Sequence, residues 1–446
     1  MPSAAEQLAA NFNFSAFSKA TELKNRMLFT ALALIVARLG TYIPMPGIDA
    51  SELARQIQQQ QGGLLDVFNL LAGGAIQRMA IFALGIMPYI SSSIIIQLMT
   101  TVSPTLEQLK KEGEAGRKQI NQYTRYGTVM LAAVQAYAIA MGLEQWGTVV
   151  IAPGFAFRIS TVITLTGGTI FLMWLGEQIT ARGVGNGISL IIMAGIVARV
   201  PVFMVQVFEQ ARTGSMNPTM VMAMFLLIGV LIGCVVFMER AQRRLLVQYP
   251  KRQQGNRVFG GEASHLPLKI NVAGVIPPIF ASSLLLLPMT LANFNAASIP
   301  GWLQSIVVLL GHGQPMFIAL YAFMIIFFSF FYTAIVFNPE ETADNLKKYG
   351  GFIPGIRPGK RTAEYIDFVL TRITVIGSIY LATVCLIPEV IGGIYNVQQF
   401  AFGGTSVLIV VSVTMDTVAQ IQSHLIAQQY EGLIKKARLK GARPQR

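Results

Sequence analysis

Long apolar segments alternate with short polar segments along almost the whole of this chain. Ten of them have about the length that a helix needs to cross a hydrocarbon core of roughly 30 Å. They lie near residues 27–44, 79–102, 127–142, 155–175, 188–207, 218–238, 272–289, 315–337, 373–394 and 402–421. A backbone in lipid must satisfy its hydrogen bonds internally, so these segments are expected to be helices. The pattern therefore predicts an all-α polytopic membrane protein with ten transmembrane helices.

Positive charge alternates from one gap between segments to the next. Both tails and the even-numbered gaps hold all of the 34 Lys and Arg residues except Arg38, Arg55, Arg78, Arg158, Arg199 and Arg212. Loops rich in Lys and Arg stay on the cytoplasmic side of a membrane. Both termini and the even-numbered gaps are therefore predicted to be cytoplasmic, which requires an even number of spans.

The overall composition agrees with a membrane protein. Charged residues make up 12% of the 446 residues and hydrophobic residues 53%, whereas soluble domains have roughly 25% charged residues. The net charge of +13 would also suit a nucleic-acid partner, but it is concentrated where the chain is expected to meet the cytoplasm. Such a partner is conceivable only through the loops. Cys234 and Cys385 lie inside apolar segments and predict neither a disulfide framework nor a metal cluster.

Ten segments divide into two sets of five, and five is an odd number. The second set would therefore enter the membrane in the opposite sense to the first, which permits inverted halves around a central site. This division predicts an N-terminal half over residues 27–207 and a C-terminal half over 208–425, flanked by tails at 1–26 and 426–446. The sequence shows no residue-level repeat between the two halves.

Two long polar loops interrupt the C-terminal half, and we refer to them as the first polar loop (239–271) and the second polar loop (338–371). Both are basic and are punctuated by Gly and Pro. Such composition is typical of ordered turns, so the loops are expected to form hairpins or docking surfaces. They are the best candidates for binding a partner.

One apolar run, LLDVFNLLA at residues 64–72, is too short to be a span. Nine helical residues extend only about 13 Å. The topology places this run on the outer side, directly before the second segment. The residues alone favour a surface-lying helix or a packed loop over a re-entrant element, since short apolar runs are ambiguous.

The sequence offers little for catalysis. His265, His312 and His424 form no HExxH pair, and no CxxC spacing is present, so neither a metal nor another cofactor is expected. The GIRPGKR run beginning at Gly355 lacks the first glycine and the hydroxyl of a phosphate-binding loop, so the chain is not expected to hydrolyse ATP. Asn186, within a GVGNG run, is expected to cap a helix rather than to belong to a dinucleotide site.

A secondary transporter and a membrane enzyme are two functions that such a membrane protein could have. A coupled transporter needs paired ionisable groups near the centre of the membrane. Arg38, Glu177, Glu389 and Asp416 instead lie toward segment ends, where an interfacial or structural role is expected rather than a proton relay. An enzyme would need a nucleophile or a metal cluster, and neither is apparent. The residues therefore favour neither of these two functions.

Five stretches of the sequence carry a more specific signal. They are MPYISSSIIIQL (87–98), GEQITARGVGNGISLII (176–192), HLPLKINVAGVIPPIFASS (265–283), FNPEETADNLKKYGGFIPGIRPGKRT (337–362) and FGGTSVLIVV (402–411). These stretches resemble the SecY family, whose members form the centre of the bacterial protein-conducting channel. The resemblance runs from about residue 23 to the C-terminal tail. It implies two five-helix halves around a central hourglass pore, through which polypeptides pass and from which hydrophobic segments leave sideways into the membrane.

The resemblance also implies a ring of isoleucines at the narrowest point of the pore. The ring would consist of Ile86, Ile90, Ile188, Ile192, Ile279 and Ile409. By composition alone, isoleucines in membrane helices are expected to face lipid or a neighbouring helix. A narrow apolar ring holds no water and therefore blocks ions, yet it binds no passing peptide tightly.

A plug and a lateral gate are implied in the same way. The short run corresponds to the plug, formed by Leu64, Leu65, Asp66, Val67, Phe68, Asn69, Leu70, Leu71 and Ala72. The gate lies at the front seam between the second and seventh segments, where the small hydroxyl residues are Ser91, Ser92, Ser282 and Ser283. Small residues let helices approach closely and separate at low cost.

The family's energy source lies outside the chain, so partners are implied. These are the ATPase SecA, a translating ribosome with its RNA and protein, the small membrane subunits SecE and SecG, signal-bearing polypeptides and membrane lipids. The motor or ribosome is expected to dock on Lys251, Arg252, Arg257, Lys347, Lys348 and Arg357. Asn256 stands where the family commonly has another Arg. The implied location is the bacterial inner membrane.

Overall fold

The computed structural model describes most of the chain. The described residues are 21–49, 51–53, 55, 73–145, 147, 149–214, 217–249, 252–254, 257–259, 263–294, 314–395 and 404–441. Before the first polar loop the helices are α1 (Thr21–Gly40), α2 (Met87–Val102), α3 (Pro104–Lys111), α4 (Glu114–Gln145), α5 (Phe155–Arg182), α6 (Gly187–Val197), α7 (Val200–Arg212) and α8 (Pro218–Arg240). After it they are α9 (Ile276–Phe294), α10 (Pro315–Val336), α11 (Pro339–Lys348), α12 (Lys360–Tyr395) and α13 (Gly404–Gly441).

Each of the ten predicted segments contains a helix. Among the described residues, seven helices are long and apolar enough to cross a membrane. They are Glu114–Gln145, Phe155–Arg182, Gly187–Arg212, Pro218–Arg240, Pro315–Lys348, Lys360–Ile391 and Gly404–Ala427, where the third range combines α6 with α7 and the fifth combines α10 with α11. The helices α2 and α9 include shorter apolar stretches, and α1 provides the helix of the first segment.

Two predicted segments differ from the observed helices for a local reason. The second segment was expected from residue 79, but α2 begins only at Met87 and has 16 residues. Gly85 has a φ of +56° just before it, and Pro88 lies in its first turn, where a proline is tolerated because no amide donor is needed. The fifth segment is divided into α6 and α7, because Pro201 cannot donate the hydrogen bond that would continue the first helix.

The described residues form two compact units. The first contains the described residues up to Val202 together with those from Val413, and the second contains those from Phe203 to Ser412. In the first unit, Ala132, Ala136 and Ala140 form a fully buried stripe on α4 that packs in one apolar cluster with Leu165 of α5. Small side chains at every fourth position let two helices approach closely. The predicted halves at 27–207 and 208–425 stay a prediction.

Ion pairs join α4 and α5 near both of their ends. At one end Arg125 donates to both carboxylate oxygens of Glu177, at 2.9 and 2.7 Å. At the other end the Arg158 Nε donates to Glu144 at 2.8 Å, and Glu144 also accepts from the amide of Gly154. The two helices are therefore fixed against sliding along each other.

The second unit contains the first polar loop, which is an ordered hairpin as predicted. Strands β1 (Gln242–Gln248) and β4 (Ala263–Lys269) pair antiparallel over their whole length. At the tip, β2 (Arg252–Gln254) pairs with β3 (Arg257–Phe259). These strands are the part of the fold that the all-α prediction lacks.

Candidate functional site

Four of the predicted ring isoleucines lie in the first unit. Ile86 is the residue immediately before α2 and Ile90 lies one turn into it, while Ile188 and Ile192 lie on the first turns of α6. Ile86, Ile90 and Ile192 are buried, and Ile188 is half-buried. Ile86 and Ile192 line one small cavity of about 30 Å³, together with Arg38. The structure thus places the residue that precedes α2 and a residue of α6 at a common site.

A tight turn between α5 and α6 fixes where the isoleucines of α6 begin. Asn186 caps α6, because its side-chain oxygen accepts from the amides of Ile188 and Ser189 at 3.1 and 3.4 Å. The predicted capping role is therefore confirmed. The amide of Val184 donates to the Thr30 hydroxyl of α1 at 3.1 Å, and that of Gly185 donates to Gln420 of α13 at 2.9 Å.

Two other predicted ring residues, Ile279 and Ile409, lie in the second unit. Ile409 of α13 is fully buried, and Ile279 of α9 is half-buried. The carbonyl of Ile279 accepts from the hydroxyls of Ser282 and Ser283, at 3.0 and 2.7 Å. The grouping of all six isoleucines around one pore stays a prediction.

Three of the four predicted gate serines, Ser92, Ser282 and Ser283, donate their hydroxyls to backbone carbonyls within their own unit. Ser92 of α2 donates to the Thr124 carbonyl of α4 at 2.8 Å and is buried, as is Ser91. Ser283 of α9 is also buried, whereas Ser282 is half-buried. Ser92 therefore joins α2 to α4. The gate assignment stays a prediction.

The predicted plug at 64–72 lies outside the described residues. The chain is described again from Gly73, whose carbonyl accepts a hydrogen bond of 2.9 Å from Nη1 of Arg38. Arg38 therefore binds the residue that directly follows the predicted plug segment. The structural role expected for Arg38 is confirmed, as it is for Glu177 in its pair with Arg125.

The two polar loops meet in the second unit. The backbones of Gln248 in β1 and Phe352 exchange two hydrogen bonds of 2.9 Å. An apolar cluster lies beneath this bridge, and its buried members are Leu245, Val247, Leu268, Ile353, Ile366, Val369 and Ile373. The loops therefore form one supported surface.

Arg357 lies on this surface and is exposed. It stands in a turn between Gly355 and Gly359, whose φ angles of +82° and +103° are in the region that favours glycine. The buried Thr362 donates its hydroxyl to the Arg357 carbonyl at 3.0 Å. The backbone at Arg357 is therefore held from both sides while its side chain stays accessible.

The other predicted docking residues fall into two groups. Lys347 and Lys348 are exposed in the last turn of α11, a helix capped by Asn338. In the hairpin tip, Arg252 pairs with Phe259 and Arg257 pairs with Gln254. Lys251 and Asn256 lie outside the described residues.

The sequence analysis missed a buried polar cluster at the base of the hairpin. Glu239 of α8 lies 3.7 Å from the Lys269 ammonium and accepts a long hydrogen bond of 3.4 Å from Asn271. The sequence did contain a signal for this cluster. Glu239 is an acidic residue that directly follows the sixth apolar segment, at the start of a loop that is otherwise basic. Among the described residues, no group of three or more His, Cys, Asp and Glu side chains could hold a metal ion.

Comparison with known proteins gives consistent matches over nearly the whole chain. The SecY family model matches residues 80–418. The "Protein translocase subunit SecY" of Rickettsia conorii (strain ATCC VR-613 / Malish 7) is 56% identical over 432 residues, covering 96% of this chain and 99% of that protein. The subunit of the same name from Escherichia coli (strain K12) is 55% identical over 424 residues, covering 94% and 96%.

Solved structures share the fold at low sequence identity. "The structure of a protein conducting channel" has a TM-score of 0.68 at 18% identity and covers 90% of this chain and 92% of that chain. "Sec61 in the Canine ribosome-channel complex from the endoplasmic reticulum" has a TM-score of 0.64 at 17% identity, with the same coverage. The predicted fold class, a mainly helical multi-span membrane protein of the channel type, is confirmed.

Proposed function

The chain belongs to the SecY family, and we propose that it is the subunit through which unfolded secretory polypeptides cross the membrane. Hydrophobic segments of those polypeptides leave it sideways into the bilayer. The observation that carries this function is the 56% identity to a protein translocase subunit over 96% of the chain. The shared fold of protein-conducting channels supports it.

The pore is proposed to lie between two inverted halves, with its narrowest point at the six isoleucines. The burial of Ile86, Ile90, Ile192 and Ile409 supports this assignment, because a seal needs apolar side chains withdrawn from water. At rest, the segment 64–72 closes the outer funnel as a plug. The seam between α2 and α9 opens as a lateral gate beside Ser91, Ser92, Ser282 and Ser283.

The driving force is proposed to come from SecA or from a translating ribosome. The paired polar loops support this proposal, since they hold Arg357 and two lysines on a surface fixed by an apolar cluster. Basic side chains suit both carboxylates and the phosphates of ribosomal RNA. ATP hydrolysis then belongs to the motor, and SecE and SecG are the expected membrane partners.

We place the protein in the bacterial inner membrane with both termini in the cytoplasm. The concentration of Lys and Arg in the tails and in both polar loops supports this orientation. The motor and the ribosome are cytoplasmic, so the proposed docking surface lies on the side that they can reach.

Reconstitution tests the function directly. The chain is purified with SecE and SecG, inserted into vesicles and given SecA, ATP and a signal-bearing protein. We expect the substrate to become protected from added protease only when ATP and the chain are both present. Vesicles that lack the chain are the control. A substrate that stays accessible, while SecA remains active and the chain is inserted, would contradict the proposed function.

A further inference from the structure

Glu239 is a buried carboxylate at a junction between three parts of the second unit. It lies in the last turn of α8, one residue before the helix ends, and its side chain is only 6% exposed. The Lys269 ammonium, at the end of β4, lies 3.7 Å from its Oε1. The pair therefore joins the end of α8, which leads into β1, to the end of β4.

Asn271 brings the start of α9 to the same carboxylate. Its amide nitrogen donates to Oε2 of Glu239 at 3.4 Å and to the Gly274 carbonyl at 3.2 Å. Asn271 is itself 5% exposed. Glu239 thus contacts both the hairpin and the link of residues 270–275 that leads from the hairpin to α9.

The link is also held by its backbone and by α12. The amide of Ile270 donates to the Ala241 carbonyl at 3.0 Å. Gly377 of α12 lies so close that a Cβ there would be 2.8 Å from the Ile270 carbonyl oxygen. Tyr380, one turn further along α12, is also buried. A six-residue link is therefore packed on one side and joined by polar contacts on the other.

We propose that Glu239 is a positioning residue that couples the docking hairpin to α9, so that force applied to the hairpin moves the start of that helix. This inference rests on the proposed function, since it needs a motor on the hairpin and a pore lined by α9. A loose link would absorb a displacement of the hairpin. A link tied to the hairpin's own base passes the displacement to Ile276, the first residue of α9.

The chemistry of the site supports coupling over simple stability. Glu239 is buried, whereas the Lys269 side chain is 56% exposed. Removing a partner of a buried carboxylate is costly, while the net stability that such a pair adds is small, so its main effect is to specify one arrangement. Lys269 and Asn271 contact different oxygens of Glu239. The carboxylate therefore contacts the hairpin and the link through separate atoms.

Two variants test the proposal in the reconstituted complex. Glu239→Gln removes the charge at nearly constant volume, and Asn271→Ala releases the link while the Glu239–Lys269 pair remains. The matched control is Glu364→Gln, which removes an exposed ion pair with Arg361 on the neighbouring loop. SecA-driven transport is measured as a function of SecA concentration, and amide hydrogen exchange is measured over residues 242–276 with and without SecA.

We expect both variants to lower the maximal transport rate at least about fivefold, with the SecA concentration for half-maximal rate within about twofold of the unaltered protein. In the unaltered protein, SecA should change exchange in the hairpin and in the link, and in the variants only in the hairpin. Glu364→Gln should leave all of these values unchanged. If the Glu239→Gln protein does not insert into the vesicles, the transport rate of Asn271→Ala alone tests the proposal.

Two results would overturn the coupling role. One is a full maximal rate in both variants, and the other is a half-maximal SecA concentration that rises as the rate falls, which would place the defect in docking. Transport by the unaltered protein shows whether the coupling role or the proposed function has failed. If the unaltered protein does not transport, the function is wrong, and if it transports like both variants, only the coupling role is wrong.

Discussion

The amide of Gln248 donates a hydrogen bond of 2.9 Å to the Phe352 carbonyl, and the amide of Phe352 returns one of the same length to Gln248. This pair joins the first polar loop to the second. Arg357 lies five residues beyond Phe352, so its position depends on the hairpin although the two are far apart in the sequence. The docking surface is therefore a single packed layer rather than two independent loops.

The apolar cluster beneath this bridge predicts different effects for two adjacent leucines. Leu245 is 5% exposed and belongs to the cluster, whereas Leu246 points to the opposite face of β1 and is 39% exposed. Leu245→Ala should cost about 3 kcal/mol of local stability through lost burial and a cavity. Hydrogen exchange of the amides in residues 242–269 measures this cost. Leu246→Ala is the control, and equal exchange in both variants would mean that the cluster does not support the hairpin.

The orientation is predicted by charge and can be tested with single cysteines. In a variant lacking Cys234 and Cys385, cysteines at Glu112, Ser264 and Tyr349 should be labelled only from the cytoplasmic side, because these exposed residues lie in basic stretches. Ile151, which is 73% exposed in an odd-numbered gap, should be labelled only from the other side. Labelling of any of the first three from outside, in sealed cells, would contradict the topology.

The seal prediction concerns Ile90 and Ile192. Replacing both with Ser should wet the constriction, so that the resting channel conducts ions while polypeptides still pass. Conductance across a planar bilayer measures the leak. Ile163→Ser combined with Ile379→Ser is the matched control, because both of these isoleucines are more than half exposed on helix surfaces. If the two double variants conduct equally little, Ile90 and Ile192 serve only as packing residues.

The crossing of α5 and α6 predicts an effect for a single methyl group. A Cβ at Gly187 would overlap the carbonyl oxygen of Gly176, which is backbone and cannot turn aside. Gly187→Ala should therefore cost about 1–3 kcal/mol or more of stability. Gly229→Ala in α8 is the control, since no atom lies within 4 Å of the position that its added methyl group would take. Thermal unfolding in detergent should separate the two, and identical midpoints would contradict the close crossing.

Local patterns predicted local structure well. The cap at Asn186 follows from one side chain that reaches the amides two and three residues ahead, and the hairpin follows from a polar run between two apolar segments. The start of α2 at Met87 could not be read in the same way. Residues 79–86 are as apolar as the helix that follows, and apolarity alone does not separate a buried turn from a buried helix.

Contacts between residues that are far apart in the chain could not be predicted from the sequence. The pairing of Arg38 with Gly73 depends on a backbone carbonyl, which every residue possesses, so no residue type identifies it. The cluster of Glu239, Lys269 and Asn271 needs the β1–β4 register, which brings the two feet of the hairpin together. The gate assignment of Ser92 follows from the resemblance and stays a prediction, and the hydrogen bond from its hydroxyl to the Thr124 carbonyl of α4 could not be read from the sequence.

Arg357 gives the sharpest test of whether the chain depends on a motor. Its carbonyl accepts from the Thr362 hydroxyl in a turn between Gly355 and Gly359, and its side chain is exposed, so the guanidinium is accessible to a partner. A guanidinium pairs with a carboxylate or phosphate through two parallel hydrogen bonds, which an ammonium cannot do. Arg357→Glu should leave the protein inserted and ion-tight, yet lower SecA-dependent transport by about a hundredfold, the effect of losing roughly 3 kcal/mol.

Arg357→Lys should give an intermediate rate, because it keeps the charge and loses the second hydrogen bond. Arg361→Glu is the matched control, since this exposed arginine lies four residues away and already pairs with Glu364 at 3.5 Å. The rate of substrate protection in vesicles measures all three. Normal transport by Arg357→Glu would mean that the motor binds elsewhere, and Arg252 and Arg257 at the hairpin tip would then be the next residues to replace.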